Sequence, residues 1–346
     1  MLVIESSDHT LHCPVEPHLF AGQPLAPREV PVRAEVILNQ LHARGLVEGG
    51  SPVTPPPVTD ELLGRVHSAE YLEFLATAHD RWRELTGGGA DGEALPFVRP
   101  MLDQPHTTSD HVLAQMGRYS NDADPILAGT WMAARSSAAA AAAAADAVAG
   151  GRRAAYALTR PPGHHAAPNT FGGYCYLNNV AIAAELLVGR GVRVATLDVD
   201  THAGNGTQAV FWNRSDVLCV SLHVDPAVEY PYYQGHAHEV GAGDGEGFTR
   251  NLPMAPRRTW DGYDEVLDAA CRTVVDHGAD VVVVALGVDT ASEDGVMDLG
   301  GDDYRRLGTR LAAMGLPCVF IQEGGYDLGV LGVNVAGTLE GFEDAS

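Results

Sequence analysis

Beyond residue 150, short apolar runs alternate with stretches in which apolar positions recur at helical spacing. The runs Ala154–Leu158, Val192–Val199, Val217–Leu222, Val281–Leu286 and Cys318–Gln322 are predicted strands, each followed by a Gly-, Pro- or Asp-containing turn. Helices are expected between and before them, near Thr130–Val148, Asn179–Val188, Thr207–Trp212, Tyr263–Asp276 and Asp303–Met314. Continuous apolar strands separated by helices describe a parallel sheet covered on both faces, an α/β fold. The first half is less regular, with a strand expected at Leu2–Ile4 and helices near Val32–Leu41 and Ala69–Ala78. The alanine run Ala138–Ala145 reads as a tightly packed helix and not a linker, since alanine is the best helix former. No linker separates two comparable blocks. The expectation is one domain over residues 1–346, with an elaborated loop region at about 50–125 that holds the Pro-rich stretch Ser51–Pro57 and the loop Thr86–Pro105 with Gly87-Gly88-Gly89.

Composition narrows the function classes. The chain has 346 residues, 45% hydrophobic and 19% charged, and its apolar runs are far shorter than the roughly 20 residues needed to cross a bilayer. The 22 basic residues are all Arg and face 45 acidic ones, for a net charge of −23. That balance argues against nucleic-acid binding, and the absence of Lys excludes Schiff-base chemistry and a P-loop. Lineage or codon bias is the plain explanation of the missing Lys. The acidity serves solubility or attracts cationic substrates, and only the site can choose between the two. Five scattered cysteines without a CxxC pair fit neither a disulfide framework nor a Cys zinc site, and with no signal-peptide pattern at Met1–Glu5 a cytoplasmic location is expected.

In an open α/β sheet, ligands bind beyond the carboxyl ends of the strands. The segments after the five later strands all carry titratable residues: Arg160-Pro161-Pro162-Gly163-His164-His165, Asp198 to Thr207, His223 with Asp225, Gly287-Val288-Asp289-Thr290, and Glu323-Gly324-Gly325-Tyr326. In extended backbone Asp198, Asp200 and His202 share one face. Asp200 and His202, joined by Asp289 from another strand end, would make a carboxylate-rich metal site with an open position, although an isolated DxDxH also serves as a helix cap or a calcium-type turn. His164 and His165, in a stiff Pro-Gly loop, can divide base and acid duties beside a metal-activated water, with Asp198 free to orient one of them. Tyr326 can stabilise an oxyanion. The loop Gly241–Gly247 reads as flexible, and His236, His238 and Glu239 as solvated surface.

Taken in order, RPPGHHA from Arg160, DVDTHAGNGTQ from Asp198, SLH from Ser221, GVDT from Gly287 and EGGY from Glu323 resemble the zinc-dependent histone deacetylase superfamily over nearly the whole chain. Asp8-His9-Thr10-Leu11-His12, Phe171 to Cys175, Leu177-Asn178-Asn179 and Asp225-Pro226 look most like its acetylpolyamine amidohydrolase branch. The resemblance implies the arginase-deacetylase fold, with a parallel sheet of about eight strands. It implies Zn²⁺, with Fe²⁺ also tolerated, on Asp200, His202 and Asp289, and His164 paired with Asp198 and His165 with Asn205. It further implies Tyr326 as the oxyanion donor, and a structural K⁺ or Na⁺ near Asp198, Asp200, His202, Ser221 and Leu222. Tyr174 and Tyr230 match channel-lining aromatics, Gly173 lies beside them, and Asp122 matches a carboxylate at the rim. The implied substrate is a small cationic acetylated amine or an acetyl-lysine peptide, and a homodimer whose loops narrow the channel is allowed. A catalytically silent acyl-ligand binder and a two-manganese ureohydrolase are the rivals, the second disfavoured by missing ligand sets. Two departures stand out: Ala203 replaces the usual second histidine after His202, and Val296 occupies a position where one polyamine-specific type has a glutamate, with Glu293 and Asp294 close by.

Overall fold

Six consecutive buried aliphatic residues, Val281–Leu286, run through the middle of a seven-stranded, wholly parallel sheet. The computed structural model describes residues 1–20, 23–87, 89, 92–101 and 107–345. In chain order the elements are β1 (Leu2–Ile4), β2 (His18–Phe20), β3 (Gln23–Leu25), α1 (Val32–Ala43), α2 (Asp60–Leu63), α3 (Ala69–Thr86), α4 (Val112–Arg118), α5 (Thr130–Ala149) and β4 (Ala154–Ala157). They continue with α6 (Asn179–Val188), β5 (Val194–Asp198), α7 (Asn205–Phe211), β6 (Val217–Val224), β7 (Thr249–Met254), α8 (Trp260–His277), β8 (Val281–Leu286), α9 (Asp303–Ala312), β9 (Cys318–Gln322) and α10 (Leu331–Asp344). The sheet order is β1-β4-β9-β8-β5-β6-β7, and β2 and β3 form a separate antiparallel pair.

Each central strand is apolar on both faces because each face meets a helix layer. Val283 and Ala285 of β8 join Val319 and Ile321 of β9 in one core with α3, α5 and α6, while Val282, Val284, Leu286, Cys318 and Phe320 point into the other with α1, α8, α9 and α10. The alanine run lies inside α5 and is almost wholly buried, so α5 packs closely against α6. Side chains close the helix starts where the sequence offers them: Ser68 Oγ accepts from Tyr71 N ahead of α3, and Asn178 Oδ1 from Ala181 N ahead of α6. Among the described residues, no helix is long and apolar enough to cross a membrane.

The sheet has seven strands where about eight were expected. Beside β1, where an eighth would lie, the chain makes a single bridge: Val53 N donates to Val3 O (2.8 Å) and Glu5 N to Val53 O (3.1 Å). The neighbouring Pro52, Pro55, Pro56 and Pro57 have no amide hydrogen to extend the ladder. The elements not predicted are β7 and α10 and, in the first half, the short β2, β3, α2 and α4. Much of the loop region 50–125 is helical, as α2, α3 and α4, while the loop Thr86–Pro105 lies partly outside the described residues, at 88, 90, 91 and 102–106. The Gly241–Gly247 loop is packed against the backbone of Trp212 and is not a free flap.

Phe320 is fully buried and its ring meets Phe342 edge-on at 5.0 Å. Phe320→Ala is expected to cost about 3–5 kcal/mol of unfolding free energy, read as a lower urea midpoint at unchanged slope.

Candidate active site

All parallel strands end at the same sheet edge, so the turns after β4, β5, β8 and β9 meet there. The β5 exit brings Asp198, Asp200 and His202 inward. His202 Nδ1 lies 3.1 Å from both Asp200 Oδ1 and Asp289 Oδ2. The remaining carboxylate oxygens are held by backbone amides: Gly324 N donates to Asp200 Oδ2 and Thr201 N to Asp289 Oδ1, each at 2.9 Å. Asp289 Oδ2 is buried without a hydrogen-bond partner. One imidazole nitrogen and two buried carboxylates within 4.8 Å of one another are a fitting donor set for a zinc-like divalent cation. Burial disfavours charge on His202, yet Asp289 and Asp200 outweigh it and hold the imidazole well above its ordinary pKa.

His164 and His165 lie beside this triad with ring centroids 4.0 Å apart. Their second nitrogens meet different partners, His164 Nδ1 at 2.9 Å from Asp198 Oδ2 and His165 Nδ1 at 2.7 Å from Asn205 Oδ1. Burial lowers the pKa of His164, but Asp198 and Asp200 raise it by more, to about 10. For His165 burial comes first, then repulsion from His164 and His202, and its pKa falls well below the ordinary value. His165 is thus a neutral imidazole donating through Nδ1, with a free lone pair on Nε2.

Tyr326 closes the floor. Burial holds its phenol protonated, so it can donate a hydrogen bond, even though the guanidinium of Arg33, 4.7 Å from the ring centroid, pulls the other way. Above it stands a cavity of about 420 Å³ whose walls include His165, Tyr174, Tyr230, His202, Asp289 and Tyr326. Gly173 and Tyr174 both adopt left-handed backbone, with φ of 57° and 67°. The turn is held by two aspartates, Asp122 Oδ2 accepting from Gly173 N (3.1 Å) and Asp124 Oδ2 from Tyr174 N (2.8 Å). A side chain at Gly173 would strike the His165 ring, so glycine is needed there.

Of the residues singled out in the sequence, Asp198, Asp200, His202, Asp289, His164, His165, Asn205, Tyr326, Gly173, Tyr174, Tyr230 and Asp122 all come to this edge. Asp198 pairs in register with Ser221, and Leu222 follows it on β6, beside a small polar cleft that includes Asp198 and Ser221. His223 and Asp225 stay out of the cavity. His223 bridges Ser221 Oγ and Gly235 O, each at 2.7 Å, and Asp225 accepts from Ala227 N. Glu239 is not solvated surface: its Oε2 accepts from Gln208 Nε2 (2.6 Å) and Gly235 N (2.8 Å), fastening the loop that carries Tyr230. Ala203 is buried against Gly235, which leaves no space for an imidazole. Val296 and Asp294 line the cavity, whereas Glu293 accepts from Ser292 Oγ at 2.9 Å.

A Histone deacetylase domain model matches residues 27–342. The chain belongs to the histone deacetylase family. It is 43% identical to "Acetylpolyamine amidohydrolase 1" of Pseudomonas aeruginosa, with all of both chains covered, and 41% identical to the "Acetylpolyamine amidohydrolase" of Mycoplana ramosa, with 99% of each covered. The crystal structure of the acetylpolyamine aminohydrolase from Burkholderia pseudomallei superposes with a TM-score of 0.90 at 38% identity, covering 100% of this chain and 99% of that one. As a histone deacetylase family member the chain is a hydrolase of amide bonds, and its seven-stranded sheet is this family's fold.

Two residues behind this deacetylase-family site, Glu29 and Arg33, carried no signal in the sequence, whereas Arg160 opens the motif RPPGHHA. Glu29, Arg33 and Arg160 form a buried charge cluster behind Tyr326, with Glu29 Oε1 at 2.9 Å from both arginines. Arg33 also donates to Gly325 O and Glu323 O, each at 2.7 Å. Burial would raise the pKa of Glu29, but Arg160 and Arg33 outweigh it and hold the carboxylate below its ordinary 4.5. Its stabilising contribution is therefore complete above that value and lost as pH falls through the folded-state pKa. Glu29→Gln should destabilise the protein by about 3–5 kcal/mol at pH 7 by leaving buried arginine charge uncompensated. Urea melts of variant and parent should converge as pH drops below about 4.5.

Proposed function

We propose that the protein hydrolyses N-acetylated polyamines, releasing acetate and the free amine. In this reading Asp200, His202 and Asp289 hold Zn²⁺, or Fe²⁺ in its place, and Asp198, Asp200, His202, Ser221 and Leu222 surround K⁺ or Na⁺. The observation that carries it is the convergence of His202, Asp289, His165 and Tyr326 on the floor of one cavity with an acidic mouth, with Asp200 and His164 buried beside them. The names of the relatives point to the same substrate class.

When bound, the divalent cation supplies a Lewis acid for the acetyl carbonyl and for water. The protein's own groups supply the rest. His165, neutral and held by Asn205, takes the proton from the attacking water through Nε2. Protonated His164, held by Asp198, places positive charge beside the developing oxyanion, and Tyr326 donates its hydroxyl hydrogen to that oxygen. The departing amine receives its proton from the histidine pair. Tyr174 and Tyr230 flank the acyl chain.

The mouth sorts its charges. Asp294 is matched by Arg28 Nη2 at 2.7 Å, and Glu29 by Arg33 and Arg160. Asp122 and Glu229 line the cavity, and among the described residues no arginine forms an ion pair with either carboxylate, Arg99 Nη2 donating to the backbone carbonyl of Asp122. A second ammonium on the substrate finds its counter-charge on that wall, which favours acetylated diamines and polyamines over a neutral acyl amide.

On zinc-loaded protein, kcat/KM for acetylputrescine and acetylspermidine is expected to exceed that for an acetyl-lysine peptide by about tenfold or more, roughly 1.4 kcal/mol. Preference for the peptide would overturn the substrate class. Tyr326→Phe should lower kcat by about 10²–10³-fold, with zinc content measured by mass spectrometry unchanged. Full activity in that variant would remove Tyr326 from the mechanism.

A further inference from the structure

The turn that carries the two histidines opens with Pro161 and Pro162, which have no amide hydrogen, so Gly163 and His164 bear its first backbone donors. Both donate to one atom, Glu323 Oε2, at 2.6 and 3.1 Å. Glu323 is fully buried, and among the described residues no arginine side chain pairs with its carboxylate. Among the described residues its other oxygen, Oε1, has no hydrogen-bond partner. A carboxylate oxygen of Glu323, a ring nitrogen of His164 and Cys175 Sγ lie within 4.8 Å of one another, so the carboxylate runs alongside the imidazole.

The backbone of Glu323 is fixed as firmly as its side chain. Its N donates to Leu286 O at the end of β8 (3.0 Å), and its O accepts from Arg33 Nη2 (2.7 Å). The next residue, Gly324, donates its amide to Asp200 Oδ2. One short segment after β9 therefore touches the metal triad through an amide and the histidine turn through a carboxylate, and reaches the phenol three residues from Glu323.

We propose that Glu323 is a positioning residue for His164. Asp198 fixes the imidazole at Nδ1, and Glu323 fixes the backbone from which the ring hangs; together they define where the ring stands relative to Asp200, His202 and Asp289. Asp198 holds only the ring; the turn's carbonyls are tied by Asn179 Nδ2 to Pro161 O (3.2 Å) and Thr207 N to His164 O (3.1 Å), and its amides are left to Glu323. The oxygen's reach does the work, since what it receives are two neutral amide donors that an uncharged carbonyl oxygen at the same place can also hold.

This inference rests on the reading above that His164 takes part in catalysis, and the experiment separates the two. Glu323→Gln keeps an acceptor oxygen at full reach without the charge, whereas Glu323→Asp keeps the charge and withdraws the oxygen by one methylene. On zinc-loaded enzyme, E323Q is expected to retain kcat within about fivefold of the parent and E323D to lose about 30-fold or more, as a misplacement near 1 Å does. KM should stay within about threefold in both, with zinc content and melting temperature unchanged. The reverse order would assign the effect to charge, parental kcat in both would remove any role, and equal losses or joint loss of zinc and stability would mark a general structural part; each overturns the proposal. A His164→Ala variant that keeps full activity would defeat the underlying reading, whereas an inactive H164A beside normal Glu323 variants would defeat this inference alone.

Discussion

The carboxyl groups of Asp198, Asp200, Asp289 and Glu323 are buried together at one edge of the sheet, and the rest of the site is built around satisfying their oxygens. A buried carboxylate costs several kcal/mol unless hydrogen bonds or opposite charge compensate it. Here backbone amides provide much of that compensation. Asp200 N donates to Asp198 Oδ1, His202 N to Asp200 Oδ1, Thr201 N to Asp289 Oδ1, Gly324 N to Asp200 Oδ2, and the Gly163–His164 pair to Glu323. At two of the surrounding turns this close approach also requires glycine. A Cβ at Gly287 would collide with the Asp200 carboxylate, and one at Gly324 with Asp289 and Asp200. The turn sequences after β8 and β9 thus follow from the charge they enclose. What the amides leave uncompensated falls to His164, to His202 and to the cation the triad is shaped to take.

A second layer of charge stands behind the first. Glu29 bridges Arg33 and Arg160, and those arginines in turn satisfy carbonyls from distant parts of the chain. Arg33 serves Gly325 and Glu323 after β9, while Arg160 serves His9 and His12 near the amino terminus. The same Arg33 guanidinium lies over the Tyr326 ring. The phenol's place is therefore set by a residue almost three hundred positions earlier, at the start of α1. The buried pair Glu29–Arg33 serves placement more than stability, since buried ion pairs contribute little net energy while removal of one partner is expensive.

This layout explains what could be read from the sequence. The strands β5, β8 and β9 were legible because both faces of a covered parallel sheet must be apolar, and the metal triad and histidine pair because they follow those strands immediately. The edge strand β7 was not, since Thr249–Met254 pairs on one side only, tolerates Arg250 and Pro253, and lacks the uninterrupted apolar run. The helix α10 was hidden by Gly332, Gly337 and Gly341, which weaken its pattern but let it pack tightly on α1 and α9. Glu29, Arg33, Asp124 and the clamp made by Glu323 act across long stretches of chain, where spacing carries no signal. Glu239 was misread as surface because its partners, Gln208 and the Gly235 amide, come from a helix and a loop that only folding brings together.

The two histidines show how far neighbouring residues of one type can be driven apart. His164 and His165 are adjacent, equally buried and in ring contact, so neither sequence position nor solvent exposure distinguishes them. Their difference comes from the residue each meets through Nδ1. A carboxylate, Asp198, makes charge on His164 favourable, and that charge, with His202 beyond it, makes a second charge on His165 unfavourable. An amide, Asn205, accepts the proton on His165 without compensating a positive ring. A group that must be charged and a group that must be neutral are what acid and base chemistry on one substrate requires. Here both states are set by the β5 exit, since Asp198 ends that strand and Asn205 begins α7 seven residues later.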